Sequence, residues 1–327
     1  MFGMNNKVIW NPSVKIVIAD VDETIADVYT PAEPAMISAL TDFLQSGRVL
    51  FMVSGGSLKR ITNDIVDFLP KELRHQIIIC HCSGAEVWGF DVQGKLLKAP
   101  YYSVYEEKFD NNLKHKWRKI VKDLITEFKF NIYPPEPKIN FRKAHSHPLN
   151  IMYDDRGPQI TFELVNATDL SDKQLKEMDL EVPVTHGSRD LRIPLLERAD
   201  ELFIKNNIPA SPRLGGMFAV DLAVKGVSKA TAIDYVFNNA RILNNLGLNK
   251  AILSDPNIIE IWGDKFSSIR GGTDRHMCEA VDKRVRAIDF RQEDPDEFLD
   301  GYNIVLWNGD KNLHFGLLEY LKTIPNY

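Results

Sequence analysis

From Lys15 the chain reads KIVIAD, an apolar and β-branched run that ends abruptly in acid. Such a run predicts a strand buried on both faces of a parallel sheet, with Asp20 at its C-terminal end. Open α/β sheets gather ligands at that end. After a stretch punctuated by Pro31 and Pro34 comes AMISALTDFLQSG, in which Met36, Leu40, Phe43 and Leu44 fall at helical spacing before Gly47 closes the segment. VLFMVS repeats the strand pattern, SLKRITNDIVDFL predicts a second amphipathic helix, and QIIICHC a third strand. Strand, helix, strand, helix, strand in this order predicts an α/β fold, a doubly wound parallel sheet with helices on both faces.

Beyond Gly84 the texture changes. AEVWGFDVQGKLL alternates around a Gln-Gly turn and predicts a hairpin. As far as Pro212 the chain then mixes helical segments (KHKWRKIVKDLITEF, DLSDKQLKEM, LLERADELFIKNN) with strand-like ones (PLNIMYD, QITFELV). From Gly215, GGMFAVDLAV predicts a strand, SKATAIDYVFNNARIL a helix and IIEIWGD another apolar strand ending in acid, so the α/β pattern resumes. RVRAIDF and YNIVLW predict further strands and HFGLLEYLK a last helix. The expected organisation is a discontinuous core, residues 1–84 and 216–327, with an α+β domain inserted over 85–215. There is no repeat of fixed period and no low-complexity segment.

The chain's 327 residues suffice for two domains of ~100–200 residues each. With 40 Lys and Arg against 45 Asp and Glu the net charge is −5, which argues against a nucleic-acid or anionic-membrane surface and for a small-molecule partner. No apolar run approaches the ~18 residues needed to span a bilayer, and the opening MFGMNNKVIWNPSVK lacks the pattern of a secretory leader. A cytoplasmic protein is expected. The 3 cysteines, Cys80, Cys82 and Cys278, are an odd number and form no disulfide framework.

Four segments carry chemistry. In Asp20-Val21-Asp22-Glu23-Thr24, two carboxylates spaced i, i+2 just past a strand can divide the work, one attacking a phosphorus atom and the other protonating the leaving oxygen. A carboxylate attacking a phosphate dianion needs its repulsion cancelled, hence a divalent metal and cationic donors. Alone, the pattern is equally that of a capped helix. At Val53-Ser54-Gly55-Gly56-Ser57 a hydroxyl and a glycine N–H at a helix start can hold a phosphate oxygen, or simply cap the helix. Lys225-Gly226-Val227-Ser228-Lys229 brings two lysines to a helix start, either able to neutralise a phosphoryl group or to lie in solvent. Gly263-Asp264-Lys265 with Gly271-Gly272-Thr273-Asp274 places acid at another strand tip, suited to a hard cation or to a Gly-rich turn.

These four segments, in this order, resemble the four motifs of the haloacid dehalogenase (HAD) superfamily. The resemblance implies a HAD-type phosphatase or phosphomutase in which Asp20 forms an aspartyl-phosphate and Asp22 is general acid and base. Ser54, with Gly55, and Lys229 would bind the phosphoryl group. Asp264 would join Asp20 and the Asp22 backbone around Mg²⁺, with Asp274 as a direct or supporting ligand. The α+β insertion between the second and third segments is similar to the type IIB cap of Cof-like sugar phosphatases, sucrose- and trehalose-phosphate phosphatases and phosphomannomutases. VSGGSLKRI, SGAEVWGFDVQGKLL, ITFELVNA and GGMFAVDLAVKGVSK most resemble the phosphomannomutase branch.

Departures separate the chain from that branch. Phosphomannomutases carry an arginine where this chain has Leu164, and another is missing after Asn166; those arginines hold the second phosphate of a bisphosphate. Glu23 stands where that branch has glycine. The expected function is therefore Mg²⁺-dependent hydrolysis of a small phosphomonoester, a sugar phosphate by resemblance, with the inserted cap closing over the site to choose the substrate. A hexose phosphomutase and a catalytically silent binding module are the alternatives. Several features read more simply as structure: Cys80-His81-Cys82 lacks the partner cluster of a zinc site. Arg142, Lys143, His145, Ser146, His147, Arg189 and Arg192 fit either contacts to substrate or solvated basic loops, and Asn166-Ala167-Thr168 is a glycosylation pattern without meaning in a cytoplasmic protein. Asp310, in Trp307-Asn308-Gly309-Asp310, rivals Asp264 as the metal carboxylate, but a strand and helix still follow Asp264, as the family order requires.

Overall fold

The structure, a computed structural model, describes residues 8–185 and 187–325; the first seven residues of the stretch considered as a leader lie outside it. The chain divides into two compact units, one built from the segments up to Ser103 and from Val227 onward, the other from Val104–Gly226. In chain order the first unit contributes β1 (Ile16–Ala19), α1 (Pro34–Gln45), β2 (Val49–Val53), α2 (Leu58–Asp64), β3 (Ile77–His81), β4 (Glu86–Trp88) and β5 (Tyr102–Ser103). The second unit follows with α3 (Val104–Lys108), α4 (Asn111–Glu127), β6 (Asn131–Tyr133), α5 (Lys138–Ala144), β7 (Asn150–Asp155), β8 (Gln159–Glu163), α6 (Asp172–Met178), α7 (Arg192–Lys205), β9 (Ala210–Gly215) and β10 (Ala219–Val224). The first unit then closes with α8 (Lys229–Phe237), α9 (Ala240–Asn245), β11 (Ile259–Gly263), α10 (Arg275–Glu279), β12 (Arg286–Asp289), β13 (Ile304–Leu306) and α11 (Leu313–Leu321).

The first unit is a three-layer α/β/α sandwich on an eight-stranded sheet ordered β13-β12-β11-β1-β2-β3-β4-β5. Its strand pairs are parallel except β3–β4 and β4–β5, which are antiparallel at one edge. Side chains alternate along a strand, so Val17 and Ala19 of β1 pack into one apolar layer with Phe43 and Leu317, while Ile16 and Ile18 pack into the other with Ile233 and Met277. Covered on both faces, β1 and β2 are uninterrupted apolar runs and β11 is apolar but for Glu260; none of the three has an exposed position. This is the expected doubly wound α/β core.

In the second unit the five-stranded sheet runs β6-β7-β8-β10-β9, antiparallel except for the β6–β7 pair. Helix α4 buries Trp117, Ile120, Val121 and Leu124, and Trp117 stacks on Phe109 with ring centroids 4.9 Å apart. It is an α+β module, as its mixed sequence texture predicts.

Four local expectations differ. The predicted helix SLKRITNDIVDFL stops at Asp64: the backbone leaves helical geometry at Ile65 (φ −134°, ψ −63°) and continues as a short 3₁₀ turn. SKATAIDYVFNNARIL is two helices, since Asn239 turns its side chain onto the N–H groups of Arg241 and Ile242 and starts α9. AEVWGF does not begin the inserted module: β4 pairs with β3 and extends the first sheet. GGMFAVDLAV does not return to that sheet, because Gly215 and Gly216 turn β9 into β10 as a hairpin whose inner strand pairs with β8. Pro212 sits in β9, an edge strand, where its missing N–H is tolerated. Among the described residues no helix is long and apolar enough to cross a membrane.

Candidate active site

Adjacent strands β1, β2 and β11 end level with one another: Ala19 lies opposite Met52 on one side and Trp262 on the other. The residues that follow therefore share one rim of the sheet. Asp20 N donates to the Trp262 carbonyl (2.9 Å) and Ser54 N to the Cys80 carbonyl (3.0 Å), so both residues leave their strands still anchored by the ladder.

Lys229 is the first residue of α8, capped by Ser228, and its ammonium is buried between two carboxylates, donating to Asp20 Oδ1 (2.5 Å) and Asp274 Oδ1 (2.7 Å). The other oxygen of Asp274 accepts the backbone N–H groups of Asp264 and Lys265, both at 2.9 Å. Asp274 thus holds the turn after β11 and aims Lys229 at Asp20. Asp20, Asp264 and Asp274 each offer a carboxylate oxygen, all within 4.8 Å of one another and all buried.

Asp22, two residues past the strand, turns to the opposite side. Its Oδ1 pairs with Arg60 of α2 at 2.5 Å and its Oδ2 accepts from Ser54 Oγ at 3.3 Å. Ser54 Oγ accepts the Gly56 N–H (2.8 Å), and a Cβ at Gly56 would crowd that hydroxyl at 3.1 Å. Gly55 lies between Ser54 and Gly56 in the loop that joins β2 to α2.

A three-residue loop after β3 braces these elements. Cys82 and Ser83 donate their N–H groups to the carbonyls of Gly56 (3.1 Å) and Ser54 (2.8 Å). Cys82, Ser83 and Gly84 all have positive φ, and Gly84 at φ 91° lies so close to α8 that a Cβ there would come within 2.5 Å of the Ser228 carbonyl. The loop is tied at its base by buried His81, whose Nε2 meets Glu86 Oε2 at 2.9 Å; Glu86 also accepts from Trp88 Nε1 and Ser103 Oγ.

Burial pushes the Asp20 carboxyl well above its ordinary range; Lys229 opposes this, while Asp274, Asp264 and Asp22 reinforce it. Asp264 is pushed up to about 6, again by burial, with Lys265 and Arg291 opposing and Asp274 adding to it. Burial alone would lower the Lys229 pKa, but Asp20 and Asp274 hold it above its usual value. Burial and the neighbouring carboxylates thus raise the proton affinity of both Asp20 and Asp264 despite the cations beside them. Oxygen donors and excess negative charge are what a hard divalent cation requires, so the residues present fit Mg²⁺.

Neither a protein-family model nor a curated protein sequence matches the chain. Solved structures do. A haloacid dehalogenase-like hydrolase from Bacteroides thetaiotaomicron matches with a TM-score of 0.56 at 13% identity, covering 95% of this chain and 100% of its own. The C-terminal domain of the C. albicans trehalose-6-phosphate phosphatase matches with a TM-score of 0.54 at 8% identity over 94% and 91% of the two chains. A trehalose-6-phosphate phosphatase related protein matches with a TM-score of 0.50 at 15% identity over 94% and 96%. The chain has the haloacid dehalogenase-like fold.

Within this HAD-like fold the four segments expected to converge do so: Asp20, Asp22, Ser54, Lys229, Asp264 and Asp274 lie around the ends of β1, β2 and β11. Of the two lysines left open by the sequence, Lys229 contacts Asp20, whereas Lys225 belongs to the other unit. Asp310 follows the edge strand β13 and is exposed, with its backbone N–H on Glu319, so it lies outside the carboxylate group. Among the described residues the Cys80-His81-Cys82 run joins no group of metal-ligating side chains. Two residues of the site escaped sequence reasoning, Arg60 and Arg291. Arg291 follows β12 at the ligand end of the sheet, and that position is the signal that would have found it.

Proposed function

We propose that the chain is a phosphatase that hydrolyses a small phosphomonoester, a sugar phosphate, through an aspartyl-phosphate on Asp20. The single observation that carries this reading is the buried Asp20–Lys229–Asp274 arrangement beside Asp264, with Asp22 on the other side of the strand end. An Asp20 oxygen attacks phosphorus in line, forming an acyl phosphate as the bond to the leaving alkoxide breaks. Asp22, oriented by Arg60 and Ser54, gives its proton to that alkoxide, then takes a proton from the water that attacks the acyl phosphate and releases inorganic phosphate. Lys229 balances charge on Asp20 and the transferring group, and Ser54 with Gly55 receives a phosphoryl oxygen. A divalent ion such as Mg²⁺, held by Asp20, Asp264, the Asp22 backbone and Asp274, supplies the positive charge that lets an anionic carboxylate approach an anionic phosphate.

Hydrolysis is favoured over the mutase alternative because Leu164, standing where phosphomannomutases have arginine, is fully buried and offers no cation to a second phosphate. We assign the choice of leaving group to the second unit, since α+β insertions of this kind are where specificity resides on a shared fold. Phosphate release from a panel of sugar phosphates and nucleoside monophosphates tests the proposal, with Mg²⁺ or a chelator and with Asp20→Asn as the matched control. Metal-dependent release that Asp20→Asn loses is the expected result. Isomerisation of a hexose 1-phosphate in the presence of a bisphosphate, without release, would replace hydrolase by mutase, and silence in both assays would sink the enzyme reading.

A further inference from the structure

The turn at Glu23 carries an arrangement that the phosphatase reading does not use. Glu23 adopts φ 67°, a left-handed conformation that disfavours any residue with a Cβ. Its side chain is held by two cations: Lys265 Nζ at 3.0 Å, and Arg291 Nη2. Both cations also contact Asp264. Arg291 donates to Asp264 Oδ2 from Nη2 (2.5 Å) and from Nε (3.0 Å), and Lys265 Nζ lies 3.4 Å from the same oxygen. The Asp264 side chain is 0% exposed, whereas Arg291 and Lys265 are 35% and 39% exposed. The carboxylate is thus covered by two half-exposed cations that a second carboxylate, Glu23, draws to one side.

A guanidinium forking onto one carboxylate oxygen uses the lone pairs, and the negative charge, that a divalent ion would take. A glycine at position 23 could neither attract Arg291 nor share it. We propose that Arg291 is an internal competitor for the divalent ion taken by Asp20, Asp264 and Asp274, and that Glu23 sets the strength of the competition by dividing Arg291 and Lys265 between itself and Asp264. This inference rests on the metal-binding part of the proposed function. It makes the two partners opposite in sign: removing Arg291 relieves Asp264 and tightens ion binding, while removing the Glu23 charge leaves both cations to Asp264 and weakens it. A merely structural ion pair would show no such opposition, since breaking it from either end would loosen the same turn.

The test is binding of Mn²⁺ to chelator-stripped full-length protein, read as loss of the free Mn²⁺ EPR signal, with Mg²⁺ as competitor and no substrate present. Arg291→Gln is expected to bind Mn²⁺ at least tenfold more tightly than the wild type, Glu23→Gln at least threefold more weakly, and Asp264→Asn to lose the site. Equal affinity in wild type and Arg291→Gln, or changes of the same sign in the Arg291 and Glu23 variants, overturns the inference and leaves the phosphatase reading intact. Should Arg291→Gln not fold, Glu23→Gln decides alone, and unchanged affinity there overturns the inference. Failure of the wild type and both variants to bind Mn²⁺ removes the metal from the proposed function and the inference with it.

Discussion

His81 is the point at which pH should act on the scaffold of the site rather than on its chemistry. Burial alone would lower the pKa of this imidazole, but the Cys82 sulfur at 3.2 Å and the Glu86 carboxylate at 2.9 Å outweigh it and push the value up from 6.5 to about 9. A folded-state value above the unfolded one means that folding takes up a proton, so the contribution is fully present below pH 6.5 and is lost as pH rises through about 9. At about 1.4 kcal/mol per pH unit, the shift is worth about 3 kcal/mol. Glu86 mirrors this from the acid side: burial raises its pKa, but the bonds from His81, Ser103 and Trp88 hold it below its ordinary value, so its contribution fades as pH falls through that lowered value. The assay is urea unfolding of wild type and His81→Gln in parallel from pH 6 to pH 9.5. Because glutamine does not titrate there, the stability difference between the two should shrink by about 3 kcal/mol over that range. Glu86→Gln should remove only part of the slope, since the Cys82 sulfur remains. A difference that is flat with pH, or that grows toward alkaline pH, would refute the reasoning. The consequence reaches the site, because His81 anchors the loop whose N–H groups hold the carbonyls of Ser54 and Gly56.

The other expectations concern the same scaffold. Gly84→Ala combines a positive φ with a Cβ 2.5 Å from the Ser228 carbonyl, so it should destabilise the protein by about 3 kcal/mol or more and displace Lys229; thermal denaturation and the KM for a phosphomonoester would register both. Arg286→Met strands Glu260, which is fully buried in β11 and accepts from Arg286, Trp262 and Tyr320, so equilibrium unfolding should show a loss of about 3–5 kcal/mol. Glu260 precedes the end of its strand by three residues, and turnover per folded molecule should be unchanged.

Patterning made the core legible. β1 and β2 are apolar runs and β11 is apolar but for Glu260, because a parallel strand covered on both faces has little room for polar side chains, and the acid or hydroxyl that follows each of these three runs marks the C-terminal rim of the sheet. Asp20, Ser54 and Asp264 could therefore be read from local sequence, and the residues around Lys229 and Asp274 followed from their place in the order of motifs. The second sheet was less legible. β10 is as apolar as a core strand, and its membership is decided by a glycine hairpin to β9, a pairing between neighbours that periodicity cannot distinguish from a return to the first sheet.

What the sequence determined by itself was the class of fold and which carboxylates and which lysine motif stand at strand ends, because burial and strand termination are local properties. Only the tertiary structure decided which charges meet. Lys229 reaches Asp20 across 209 positions of chain and Arg291 reaches Glu23 across 268, and ion pairs of that separation leave no periodic trace. They form because the sheet order lays β12, β11, β1 and β2 side by side, so that residues far apart along the chain share one rim.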